Sequence, residues 1–180
     1  MRWWAICLVS AGVLGHSPAV AQVGDLARRL EIDVRAAYVV LGGERATGGL
    51  MPLAAARHTW LLSDVGDVAV GAEFGAFGFG SETRWIGILG GPTVSGSARP
   101  WSGPVAVSLA FAASVGRIPV CNDWGLCLRY VGLFPSANLS VAYYTNRVLA
   151  IGASCSVRYV DTLAWTGASW EPSVIGRFWW

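Results

Sequence analysis

Apolar and polar residues alternate along most of this chain. Leu30, Ile32, Val34, Ala36, Tyr38 and Val40 share one parity, and Glu31, Asp33, Arg35 and Ala37 share the other. A period of two puts successive side chains on opposite faces of a β-strand. A second strand, about Leu53 to Ser63, sets Arg57 and Thr59 against Ala54, Ala56, His58, Trp60 and Leu62. A third, Val68 to Gly80, sets Glu73 against Val68, Val70, Ala72 and Phe74. The fifth has the clearest pattern. Val105, Val107, Leu109, Phe111, Ala113 and Val115 alternate with Ala106, Ser108, Ala110, Ala112, Ser114 and Gly116, so that its second face is all small.

The sixth strand sets Leu139, Val141 and Tyr143 against Asn138, Ser140 and Ala142. The seventh sets Leu149, Ile151, Ala153, Cys155, Val157 and Tyr159 against Ala150, Gly152, Ser154, Ser156 and Arg158. In the eighth, Trp170, Val174, Gly176, Phe178 and Trp180 oppose Glu171, Ser173 and Arg177. The fourth, roughly Arg84 to Val94, is apolar on both faces, so its register stays open. Turn-forming residues mark Ser63–Asp67, Ser95–Pro104 and Thr145–Asn146 on one side of the resulting meander. Longer connections are expected on the other side, at Gly42–Pro52, Ser81–Thr83, Arg117–Pro135 and Tyr159–Ser169. The expected fold is all-β, an antiparallel up-and-down barrel of about eight strands. Ten strands remain an alternative, because the fourth strand and the Arg117–Pro135 connection are the least defined parts.

The first residues follow different rules. Arg2 precedes an uncharged, mostly apolar run, Trp3 to Gly15, and then the A-x-A site Ala19-Val20-Ala21. This is the form of a secretory signal peptide, with cleavage after Ala21. The run is shorter than the roughly 20 residues of a membrane-spanning helix. The expected division is therefore residues 1–21 as signal peptide and 22–180 as one barrel domain.

Composition decides which way the faces point. The chain is 54% hydrophobic and 13% charged, where soluble domains carry about 25% charged residues. High apolarity without long apolar runs suits a transmembrane barrel, in which every second strand residue meets lipid. A soluble, secreted ligand-binding barrel has the same alternation turned inside out, and remains the alternative. Aromatic placement favours the membrane. Trp60, Trp101, Tyr143, Phe178 and Trp180 fall near one edge, and Tyr38, Phe77, Phe79, Trp85, Tyr159 and Trp170 near the other, as two membrane interfaces select. The net charge is only +2, with no basic tract, so nucleic acid is excluded as a partner.

The chain resembles the small eight-stranded outer-membrane barrels of Gram-negative bacteria. The resemblance is architectural and covers residues 22–180. Its most specific part is Val174-x-Gly176-x-Phe178-x-Trp180. In that family a terminal, aromatic-ended strand is recognised by the barrel assembly machinery, which would make Phe178 and Trp180 the assembly signal. The usual glycine, five residues before the last aromatic, is replaced here by Ile175. The resemblance implies an outer-membrane location and contact with its lipids.

An eight-stranded barrel is only wide enough for side chains to fill it. Glu31, Asp33, Arg35, Arg57, Glu73, Arg158, Glu171 and Arg177 are therefore expected to form an interior ion-pair network. A narrow polar conduit is the competing use of the same residues. Cys121 and Cys127 bracket NDWGL and are expected to form a disulfide, as a secreted context favours. The connection around them offers Asp123, Trp124, Arg129 and Tyr130, with Trp165 on a neighbouring loop, as a candidate binding surface of unknown ligand. No cofactor or metal is expected, since residues 22–180 hold one histidine, His58, and no C-x-x-C pair. A lipid-modifying hydrolase would need a serine, a histidine base and a carboxylate. His58 is followed by Thr59 in place of a His-x-Ser pair, which makes an enzyme the least favoured reading.

Overall fold

A computed structural model describes residues 28–41, 47–63, 66–79, 85–98, 104–121, 127–145, 148–161 and 166–180. Residues 1–27, including the expected signal peptide, lie outside the described residues. Eight strands follow one another: β1 (Arg28–Leu41), β2 (Thr47–Ser63), β3 (Gly66–Phe79), β4 (Trp85–Ala98), β5 (Val105–Cys121), β6 (Cys127–Tyr144), β7 (Leu149–Asp161) and β8 (Thr166–Trp179). Each pairs antiparallel with its neighbours in sequence, and β8 pairs back onto β1, closing the barrel. The count is eight.

The strands exist because their faces have different solvents. Leu30, Val34, Tyr38 and Val40 are exposed on the outside of β1, and Glu31, Asp33, Arg35 and Ala37 are buried within. The same parity holds in β2, β3, β5, β6, β7 and β8, as the alternation predicts. The structure also sets the register of β4. Gly87, Leu89, Thr93 and Ser95 face inward, and Ile88, Pro92 and Val94 face outward. No charge lies in this strand to mark a face, and pairing with β3 along Phe74↔Gly90 and Val70↔Val94 decides it.

Several connections expected from the sequence are strand. β4 continues to Ala98, so Ser95 lines the interior and does not begin a turn. β2 begins at Thr47, and β8 begins at Thr166. The largest correction concerns Arg117–Pro135. β5 runs on to Cys121, and β6 starts at Cys127, with an unbroken register from Val105↔Tyr143 to Cys121↔Cys127. The polar cues Asn122, Asp123 and Gly125 mark only the connection, while the apolar flanks pair with each other. Pairing of β5 with β4 reaches Ile88↔Arg117, and pairing of β6 with β7 reaches Leu133↔Asp161. Beyond these points β5 and β6 pair, among the described residues, only with each other, as a ribbon at the end of the barrel opposite the termini.

Candidate functional site

The interior of the barrel holds the largest concentration of chemistry. Four arginines and four carboxylates from β1, β2, β3, β7 and β8 meet there. At the terminal end, Arg57 Nη1 is 2.6 Å from Glu31 Oε1 and 3.2 Å from Asp33 Oδ2. Arg177 approaches the same two carboxylates at 3.5 Å each. In the other half, Arg158 Nε donates to Glu171 at 2.9 Å, and its Nη1 donates to Glu73 at 3.0 Å. Arg35 joins the two groups, 3.8 Å from Asp33 and 3.4 Å from Glu73. All eight residues named from the sequence are thus brought together into one chain of contacts with balanced charge. Arg57 Nε, Arg158 Nη2 and Glu171 Oε2 make no hydrogen bond among the described residues, so charge pairing holds much of this network.

The small face of β5 explains how so many long side chains fit. Arg177 crosses from β8 to donate to Ser108 Oγ at 3.0 Å. Glu73 reaches from β3 to accept from Ser114 Oγ at 2.7 Å. Arg158 also donates to the Phe134 carbonyl at 3.2 Å. Ala106, Ala110 and Ala112 leave the room that the charged side chains use. Sequence reasoning missed Ser108, Ser114 and Ser169 as partners. The inward parity of Ser108 and Ser114 was readable, but the residues they meet across the barrel were not; Ser169, which donates to Glu171 Oε1 at 3.1 Å, falls within the expected Tyr159–Ser169 connection.

Apolar layers bound the network along the barrel axis. Ala37, Val39, Met51, Leu53, Leu89, Phe134 and Val160 form a buried cluster toward the far end. Ala142, Ala150, Ile175 and Trp179 form another near the termini, with Tyr144 stacked on Trp179 at 5.0 Å between ring centroids. Phe134 fell within the expected Arg117–Pro135 loop, so its place in the interior was also missed.

The outside is the reverse. Arg57 is 1% exposed, whereas Phe74, on the outer face of β3, is 63% exposed. Water would solvate the arginine and exclude the phenylalanine, so this arrangement fits lipid outside and rules out the inside-out soluble barrel. Trp60 and Phe178 ring the terminal end, and Tyr38, Tyr159 and Trp170 the far end. Trp101 lies outside the described residues, and the side chains of Phe77, Phe79 and Trp85 are likewise not described.

The remaining sequence-derived candidates are dispersed. Asp123, Trp124 and Trp165 lie outside the described residues. Arg129 and Tyr130 are on β6 and not in a loop, a correction that follows from their pairing with Pro119 and Ile118. Cys121 and Cys127 face each other across the ladder, though their side chains are not described. Phe178 is exposed on the outer face, and the Trp180 backbone exchanges hydrogen bonds with Leu30 at 3.0 and 3.3 Å, closing the β8–β1 seam. His58 stands outside, edge-on to Trp60 at 4.6 Å, with Leu30 and Val70 as its cross-strand partners. Among the described residues no cluster of His, Cys, Asp and Glu is arranged to hold a metal.

A closed eight-stranded antiparallel barrel with a charged interior and an apolar outer belt is the architecture of the small outer-membrane barrels. Neisserial surface protein A shares it, with a TM-score of 0.66 and 15% identity over 84% of this chain and 96% of that one. So does Ail, the attachment invasion locus protein of Yersinia pestis, with a TM-score of 0.56 and 12% identity over 84% and 99% of the two chains. Ail also has a structure in complex with the heparin analogue sucrose octasulfate. The outer membrane enzyme PagL matches with a TM-score of 0.55 and 7% identity, over 82% of this chain and 98% of that one. No protein-family model matches the chain, and no curated protein is similar to it in sequence.

Proposed function

We propose that this protein is an outer-membrane anchor: a plugged barrel that holds the β5–β6 ribbon at the cell surface for adhesion or binding. The observation that carries this reading is the filled interior. A neutral ion-pair network lies between two apolar layers, which leaves the bore to side chains and the far end to present a surface. The termini then lie on the periplasmic side, and Phe178 and Trp180 serve the barrel assembly machinery. The candidate binding residues are Arg129 and Tyr130 on the ribbon, together with Asp123, Trp124 and Trp165, which lie outside the described residues.

A disulfide between Cys121 and Cys127 would brace that tip. Tyr144 N donates to the Pro104 carbonyl at 2.7 Å, which marks a hydrogen-bonded pair at the start of the β5–β6 ladder. Pairs alternate, and the unbroken register puts Cys121↔Cys127 at a non-hydrogen-bonded position. Such pairs bring Cα atoms to about 4.5 Å, within the span of a disulfide. A non-enzymatic role is supported by His58, whose cross-strand partners on the outer face, Leu30 and Val70, are apolar.

The test combines three measurements. The protein should fractionate with outer membranes and run faster on gels before boiling than after. It should give no steady conductance in planar bilayers. Protease added to intact cells should cut within residues 122–126. A conducting barrel, or cleavage only after the cells are permeabilised, would overturn the plugged or the outward-facing part of the reading respectively.

A further inference from the structure

The eight charged residues of the interior network pair with one another, whereas two arginines on the outside have no ion pair among the described residues. The outer face of β5 carries Val105, Val107, Leu109, Phe111, Ala113 and Val115, and then Arg117. The steps from Val105 to Val115 rise about 34 Å along the strand. At a tilt of about 40° this is about 26 Å along the barrel axis, the height of the apolar band a membrane barrel presents to lipid. Arg117 is therefore the first outward residue past the band, at the end away from the termini.

Arg129 joins it from the next strand. Arg117 pairs with Val131, so Arg129 is the diagonal outward neighbour. Diagonal positions lie about 7–8 Å apart, within reach of long side chains. Both arginines are exposed, and neither has an ion pair among the described residues. The outward carboxylate of Asp161 stands opposite Leu133, one strand further round, and accepts from Thr166 at 3.3 Å. Val131 and Leu133, 65% and 60% exposed, place apolar surface directly beside the two guanidinium groups.

We propose that Arg117 and Arg129 bind the phosphate of an outer-leaflet glycolipid headgroup, with the acyl chains lying along Val115, Val131 and Leu133. Two guanidinium groups offer paired, charge-assisted hydrogen bonds that match phosphate oxygens. The flanking apolar positions select an amphiphile over a free anion, because a soluble ion gains nothing from them. This inference rests on the membrane-anchored reading and on the far end facing outward.

The experiment is native mass spectrometry of the detergent-purified barrel titrated with phosphorylated lipid A and with the same lipid stripped of phosphate. The intact barrel should retain the phosphorylated lipid and release the stripped one. Arg117→Gln or Arg129→Gln should each weaken retention roughly tenfold, the scale of a lost charge-assisted hydrogen bond. Arg117→Lys should keep part of it. Heat-shifted gel mobility of each variant establishes that the barrel has folded, and tests the membrane-anchored reading separately. Equal retention of both lipids, or unchanged retention in the double glutamine variant, would overturn the proposal. So would a preference for soluble sucrose octasulfate over the phosphorylated lipid.

Discussion

Arg158 is held by two carboxylates, Glu73 on β3 and Glu171 on β8, deep in the barrel. Removing one partner of a buried charge cluster leaves the others uncompensated, at a cost of about 3–5 kcal/mol. Arg158→Met should lower stability by that order in urea unfolding from lipid vesicles. Arg158→Met combined with Glu171→Gln should recover part of the loss, because one stranded charge is removed with it. The outside follows the opposite rule. Phe111 lies midway along the apolar face of β5, so Phe111→Arg should cost about 2–4 kcal/mol in the same assay. These two experiments read the two solvents of one strand alternation.

At the scale of the element, strand contacts set tolerance. A side chain added at Gly152 would run into the Val141 carbonyl on β6, and one at Gly91 into the Ala113 carbonyl on β5. Gly152→Val should therefore slow or abolish folding, read as loss of the heat-shifted band, although the residue carries no chemistry. The seam between β8 and β1 depends on the Leu30–Trp180 backbone exchange. Trp180→Asp puts a charge beside that seam and should reduce assembled protein in membranes, whereas normal levels would count against its role in closure. The ribbon gives a redox prediction. A non-reducing digest should contain residues 121 and 127 in one bridged peptide, and separate peptides would remove the brace from the tip.

For the whole molecule, closure turns eight weak patterns into one object. Seven strands were legible, because a charge or an unmixed small face marked the inside of each. β4 was not, since both of its faces are apolar or small and only its neighbours assign them. The turn cues Asn122, Asp123 and Gly125 make the whole Arg117–Pro135 stretch look like a loop, whereas pairing between β5 and β6 carries its flanks on as strand. Of the interior site, the eight charged members followed from parity. Their pairing did not, since Arg158 and Glu73 are brought together only by the curvature of the sheet.

The sequence alone determined which residues share a face, that the faces differ in polarity, and that strands and not helices carry the apolar surface. Those properties are local, set by the two-residue period of the backbone. The tertiary structure decided which face of β4 is inside, how far each strand extends, which charges meet, and that apolar layers bound them at both ends. Those depend on closure of the sheet, which places distant residues across a bore narrow enough for their side chains to touch.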